Sequence, residues 1–355
     1  MRALITTAVA AVAILSAASA AAAASAGQGL AAQAVVNARI FSQGDDPYPD
    51  HRVAFAEGVT GLPDLTYQIL PRYRPMKLDL YLPPARFRGP RPTVIYIHGG
   101  GWQSGGPRLS GAFDNWPRVL ASIAARGYVV ASVSYRFAGE AAHPAAIQDV
   151  KASIRWLRAN AGKYRVDPAR IMVWGASAGG QLAALAATSC GVVALEPPTA
   201  PSGPPRNDKV EQQTAGAAPA MEVSDCVQGA VTWYGIFDFT GRPLGPPEQS
   251  YLGCAPSGCT PQQTASPSAV SYLGPRTPPV LMIAGSEDHT VPPAQSRDFY
   301  AAMQARHLRG ELMIIPGVDH SFIGKTPEAT RDASRAGLAR TIDFIGSVIG
   351  DNARR

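Results

Sequence analysis

Charge is scarce in this chain. Only 16% of its 355 residues are Asp, Glu, Lys or Arg, against 46% that are hydrophobic. Such a composition buries a sizeable core and excludes wholesale disorder. The length suits one large α/β domain or two modest ones. The net charge of +6 is dispersed, with no Lys/Arg run of the kind that forms a nucleic-acid arm, so no nucleic-acid partner is expected. Cysteine is also scarce. The four residues Cys190, Cys226, Cys254 and Cys259 form no C-x-x-C pair and have no histidine beside them, which argues against zinc. Beyond the N-terminal segment no apolar run is long enough to cross a membrane, so no stable membrane insertion is expected after processing.

The N-terminal segment has a pattern of its own. After Met1-Arg2 no charged residue occurs until Arg39, and small residues dominate. Ala18-Ser19-Ala20 and Ala24-Ser25-Ala26 are two A-x-A cleavage candidates. Residues 1–26 therefore read as an export signal, and the expected location is periplasmic or extracellular. An uncleaved anchor is the weaker alternative, because the stretch is only weakly apolar after Leu15. Export permits disulfides. Of three connectivities, Cys190–Cys226 with Cys254–Cys259 is the one the spacing favours, since the second pair flanks a short turn-forming segment.

Residues 27–63 read as an irregular arm and 64–350 as the catalytic domain. Lys77–Leu82 alternates polar and apolar, which predicts a half-buried antiparallel strand. Continuous apolar runs follow at 94–97, 128–130, 171–174, 230–233, 280–283 and 312–315, as in parallel strands buried on both faces. Helical spacing appears between them. Ile147, Val150, Ile154 and Leu157 share one face after Pro144, and Leu338, Ile342, Ile345 and Ile349 share another. The alternation predicts an α/β fold, a mostly parallel sheet with helices on both faces. Two stretches, 191–225 and 240–270, are too long for ordinary connections. The first reads as a plain insertion, the second as a wall of the substrate pocket.

The sharpest signal is Gly175-Ala176-Ser177-Ala178-Gly179-Gly180, between the run 171–174 and the helix-forming Gln181–Leu185. G-x-S-x-G in a strand–turn–helix context lifts a serine hydroxyl above the sheet on a turn too tight for larger neighbours. It also places that oxygen at a helix N-terminus, where negative charge is stabilised. Directly after 94–97 comes His98-Gly99-Gly100-Gly101-Trp102, whose glycines let backbone N–H groups approach a substrate oxygen. Gly100 and Gly101, with Ala178 after the serine, are the expected oxyanion donors. A phosphate loop is disfavoured, because this segment has neither G-x-G-x-x-G spacing nor a G-K-[ST] ending. His98 reads as structural.

A nucleophilic serine needs a base, and the base an orienting carboxylate. The expected chain order is Ser, acid, His. Asp288, after the run 280–283, and His320, after 312–315, satisfy it. Glu287, His289 and Asp319 adjoin them, but adjacent residues leaving a strand point in different directions. His51, His143 and His307 fit no role and read as surface or helix residues. No metal or organic cofactor is required.

Together these segments, with Ser134-Tyr135-Arg136, His143–Asp149, Val291-Pro292 and Ser321-Phe322, resemble the α/β-hydrolase superfamily. They are similar to its hormone-sensitive-lipase-like esterases, although Ala176 stands where many of those have Asp. Trp233–Phe239 is similar to a feruloyl- and acetyl-esterase-like subgroup. The resemblance implies hydrolysis of short-chain or phenolic acyl esters, as small molecules or on acylated polysaccharides. A prolyl-oligopeptidase-like peptidase uses the same residues but carries an accessory domain. A non-catalytic binding protein on the same fold usually loses one of them.

Overall fold

The computed structural model describes residues 51–197, 223–255 and 257–351. The export signal expected at 1–26, the arm as far as residue 50, and most of the 191–225 insertion lie outside the described residues.

Nine strands form one sheet in the order β1-β2-β3-β5-β4-β6-β7-β8-β9 among the described residues. The first three are β1 (Val53–Ala54), β2 (Thr60–Gln68) and β3 (Met76–Leu82), joined antiparallel. β3 then pairs antiparallel with β5 (Val129–Val133). From β5 onward every pairing is parallel, through β4 (Arg91–Ile97), β6 (Val166–Ala176), β7 (Gly229–Trp233), β8 (Val280–Gly285) and β9 (Gly310–Ile315). The helices are α1 (Trp116–Ala124), α2 (Ala145–Ala159), α3 (Ala161–Tyr164), α4 (Ala178–Thr188), α5 (Pro246–Leu252), α6 (Pro261–Ala265), α7 (Ala294–Gln304) and α8 (Pro327–Ile349).

The period of two along a strand divides the core between the faces. On β4, Ile95 and Ile97 pack on one side with Ile147 and Leu157 of α2, Leu182 of α4 and Phe299 of α7. Val94 and Tyr96 point the other way, to Trp116 and Leu120 of α1 and Phe344 and Ile349 of α8. Tyr96, Trp116, Trp174 and Trp233 form an aromatic stack on that second face. Their centroids lie 4.7 Å (Tyr96–Trp116), 5.2 Å (Trp116–Trp174) and 4.9 Å (Trp174–Trp233) apart, all tilted or edge-on, the geometry that ring quadrupoles favour. The side chain of Thr326 accepts the Ala329 N–H and Pro327 follows it, which sets the start of α8.

Three expectations are corrected. The irregular arm does not extend to residue 63, because β1 and the first three residues of β2 precede that point. Pro63 and Asp64 interrupt the pairing of β2 at a register shift between Leu62 and Leu65, and this break hides the strand from its sequence pattern. β3 is not half-buried. With β2 on one side and β5 on the other, only Lys77 is exposed. Its buried Asp79 accepts from Arg108 Nε (2.6 Å) and Nη2 (2.9 Å). β9 is not buried on both faces. It is the edge strand, and only Ile315 is fully covered.

Two buried charge groups fix the frame. Arg136 Nη2 meets Asp149 at 2.8 Å, and the Arg136 N–H donates to the same carboxylate at 2.8 Å, tying the end of β5 to α2. Removing one member of such a pair typically costs about 3–5 kcal/mol. Lys151 and Arg155 of α2 meet Glu196 and Asp225, which flank the two ends of the 198–222 segment. The disulfide Cys190–Cys226 closes the same base, and Cys254–Cys259 closes the loop after α5.

Candidate active site

The ends of β4, β6, β8 and β9 converge at the carboxyl edge of the sheet, where open parallel sheets place their sites. Ser177 sits between β6 and α4 with φ 54° and ψ −120°. Its N–H donates to the Trp233 carbonyl at 2.8 Å, which anchors the strained turn on β7. The turn requires its glycines. A Cβ on Gly179 would lie 2.0 Å from the Ile97 oxygen, and one on Gly175 would lie 2.0 Å from the Gly179 oxygen.

Ser177 Oγ lies 3.0 Å from His320 Nε2, and His320 Nδ1 lies 2.8 Å from Asp288 Oδ2. A carboxylate only accepts, so Nδ1 carries the proton and bare Nε2 faces the hydroxyl. Asp288 is fixed in turn, since its Oδ1 accepts from the N–H groups of Thr290 (3.0 Å) and Val291 (2.7 Å). The structure thus brings together the three residues that the strand ends predicted. The neighbours point elsewhere. Glu287 meets exposed Lys325 at 3.8 Å. His289 and Asp319 meet each other at 3.1 Å on the surface, a mirror of the Asp288–His320 contact between the same two loops. Asp319 also accepts from the His289 N–H (2.9 Å) and the His320 N–H (2.6 Å). Those backbone bonds hold its carboxyl down at about 2.

Gly100, Gly101 and Ala178 lie on the wall of the same cleft. Their N–H groups meet no protein acceptor among the described residues. Gly100 has φ 118°, and a Cβ there would lie 2.2 Å from the Ser104 oxygen, so the loop folds only with glycine at this point. The loop is braced at three places. Trp102 Nε1 donates to Gln181 Oε1 at 3.1 Å, its ring stacks on Tyr251 at 4.4 Å, and Ser132 Oγ donates to the Pro107 carbonyl at 2.6 Å.

His98 is buried beneath the loop. Its Nδ1 donates to the Gly99 carbonyl at 2.7 Å and its ring stacks on Tyr135 at 4.5 Å. His143 is not a plain surface residue. It is half-buried, 2.8 Å from Ser266 Oγ and 3.2 Å from the Tyr251 hydroxyl. His51 and His307 are exposed and outside the cleft. Burial pushes His98 and His143 each down to about 4. The unfolded value is about 6.5, so the unfolded chain binds more protons in between. The stability these histidines contribute is full above about pH 6.5 and is lost as the pH falls toward 4. Thermal melts should therefore show the midpoint dropping across that window, and His143→Gln should shrink the drop. An equal drop in that variant would remove His143 from the effect.

The cleft has a volume of about 710 Å³. Sequence reasoning missed one contributor to it. Tyr234, at φ 40°, sets its ring edge-on to His320 at 4.7 Å. Pro247 and Glu248 of α5 form part of the wall, so the 240–270 segment does reach the cleft.

The family model BD-FAE, of the α/β-hydrolases, matches residues 78–303. The chain belongs to this family. Esterase LipQ of Mycobacterium tuberculosis is 29% identical over 281 residues, 77% of this chain and 59% of that protein. Esterase LipC of the same organism is 32% identical over 243 residues, 66% of this chain and 53% of that one. The chain thus spans between half and three-fifths of these relatives. Among solved structures, Thermogutta terrifontis esterase 2 phosphorylated by paraoxon matches with a TM-score of 0.59 and 25% identity, over 80% of this chain and 93% of that one. The fold of this BD-FAE member is accordingly that of the α/β-hydrolases. No helix among the described residues is long and apolar enough to cross a membrane.

Proposed function

We propose that this BD-FAE protein is a serine carboxylesterase acting on short-chain or phenolic acyl esters, either small molecules or acyl groups on polysaccharides. The observation that carries this reading is the unbroken line from Ser177 Oγ through His320 to Asp288. His320 Nε2 takes the proton as Ser177 Oγ attacks the ester carbonyl. The resulting oxyanion accepts from the N–H groups of Gly100, Gly101 and Ala178, each such donor being worth about 3 kcal/mol in the transition state. His320 returns the proton to the leaving alkoxide, and an acyl group remains on Ser177. Water, deprotonated by His320, then releases the acid. Asp288 holds the tautomer and stabilises the imidazolium.

The relatives named above are esterases, which supports ester hydrolysis here. The volume of the cleft suits a small ester. The Ala-rich N-terminus, without a charged residue between Arg2 and Arg39, and the two disulfides support export.

The test pairs turnover with labelling. p-Nitrophenyl acetate, butyrate, octanoate and palmitate, methyl ferulate and acetylated xylan are offered as substrates, and paraoxon as inactivator. Turnover that falls with chain length, and paraoxon modification mapped by mass spectrometry to the Ser177 peptide, are expected. A folded protein inert to every ester, or labelled elsewhere, overturns the reading.

Asp319 adds a prediction. It touches no reacting atom, yet it clamps the backbone of both loops. Asp319→Ala is expected to lower kcat about tenfold with KM little changed, since small misplacements of a general base cost rate before binding. An unchanged kcat would show that the loops hold themselves.

A further inference from the structure

The cleft is otherwise lined by glycines, aromatic rings, aliphatic side chains and hydroxyls. Glu248 is the one carboxylate on its wall among the described residues. It lies in the first turn of α5, beside Pro247, whose Cβ is 3.7 Å from where a Cβ on Gly101 would be. The helix that carries the acid is therefore on the oxyanion-loop side of the cleft. Its side chain is only 14% exposed. The sole ionic partner among the described residues is Arg242, at 3.7 Å, beyond hydrogen-bond reach. Arg242 Nη1 is itself buried and without a hydrogen bond, and Arg242 is not among the residues lining the cleft. Glu248 Oε2 lies 2.8 Å from where a Cβ on Gly245 would be, over the start of α5, and among the described residues neither carboxylate oxygen accepts a hydrogen bond from the protein. An acceptor-only group on the wall of a cleft is satisfied by donors or a cation and opposed by a second anion. In a cleft partly closed to solvent, screening is weaker than in bulk water and this discrimination is stronger.

Resting on the esterase reading above, we propose that Glu248 sets the charge specificity of the site. The cleft takes esters that present a cation or hydrogen-bond donors toward α5 and rejects those that present a carboxylate. The overall charge of +6 would draw anionic esters to the protein at long range. Glu248 reverses that preference at the point of binding.

The test compares kcat/KM on two isosteric series. One varies charge on the alcohol arm: butyrylcholine, 3,3-dimethylbutyl butyrate and 2-carboxyethyl butyrate. The other varies it on the acyl arm: ethyl 4-trimethylammoniobutyrate, ethyl 5,5-dimethylhexanoate and monoethyl glutarate. In one arm, the native protein is expected to favour the cationic ester over the anionic one by at least about tenfold. Glu248→Gln should bring that ratio to within about threefold, while Glu248→Asp should retain most of it. Ratios within one enzyme cancel any change in folded fraction. Equal rates on cationic and anionic esters in both arms, or a preference that survives Glu248→Gln, overturn the proposal. Failure of even the neutral esters in the native protein overturns the esterase reading instead, so the two failures are distinct.

Discussion

Replacing Ser177 with alanine is expected to lower ester turnover by about 10⁴-fold or more, to the level left by the oxyanion donors and binding alone. The change removes one oxygen and leaves the turn intact. The N–H of residue 177 still donates to Trp233, and the glycines at 175 and 179 still allow its close contacts. Alanine at φ 54° is no more strained than serine, so the thermal midpoint should stay within a few degrees. Kinetics on p-nitrophenyl butyrate beside a thermal melt make the measurement. A folded variant that keeps its rate would dismiss Ser177 as nucleophile, and with it the proposed mechanism.

Asp288→Asn is expected to cost about 10⁴-fold in kcat, although it changes almost no volume. Asp288 Oδ1 serves two backbone N–H groups, so the amide oxygen of Asn takes that side and its NH₂ faces His320. His320 Nδ1 then becomes an acceptor, the proton moves to Nε2, and Nε2 no longer accepts from Ser177. The fold loses little, because the two turn bonds survive. A loss under about tenfold would pass the orienting role to another acid, with Glu287 the nearest in sequence.

The site was more legible in the sequence than the frame around it. Its residues leave strand ends at turns, where glycine and strand–turn–helix punctuation mark positions one residue at a time. Gly175–Gly180 and His98–Trp102 are such turns, and Asp288 and His320 follow apolar runs that are indeed β8 and β9. Ser134-Tyr135-Arg136 and His143–Asp149 stand as separate motifs in the sequence. Only the fold shows that Arg136 and Asp149 are ion-pair partners. What escaped depended on neighbours distant in sequence. The half-buried pattern of Lys77–Leu82 is the same whether or not β2 covers it, and β2 is disguised by Pro63 at its break. The edge position of β9 is a property of strand order, which a local apolar run does not encode. Glu248 sits in a Gly/Pro-rich stretch like any solvated acid, and only the packing of α5 beside the glycine loop brings it to the cleft wall.

The base of the 198–222 segment makes that stretch a closed ring in covalent terms, since Cys190 and Cys226 are joined outside both of its ends. A protease that nicks the chain anywhere between them produces two polypeptides that still migrate as one until a reductant is added. For a nick between Glu196 and Asp225, the shared contacts of Lys151 and Arg155 hold an acid from each polypeptide against α2. The elbow at Ser177 lies on the first of the two polypeptides, while Asp288 and His320 lie on the second. One sulfur–sulfur bond would then be all that covalently unites the nucleophile with its base.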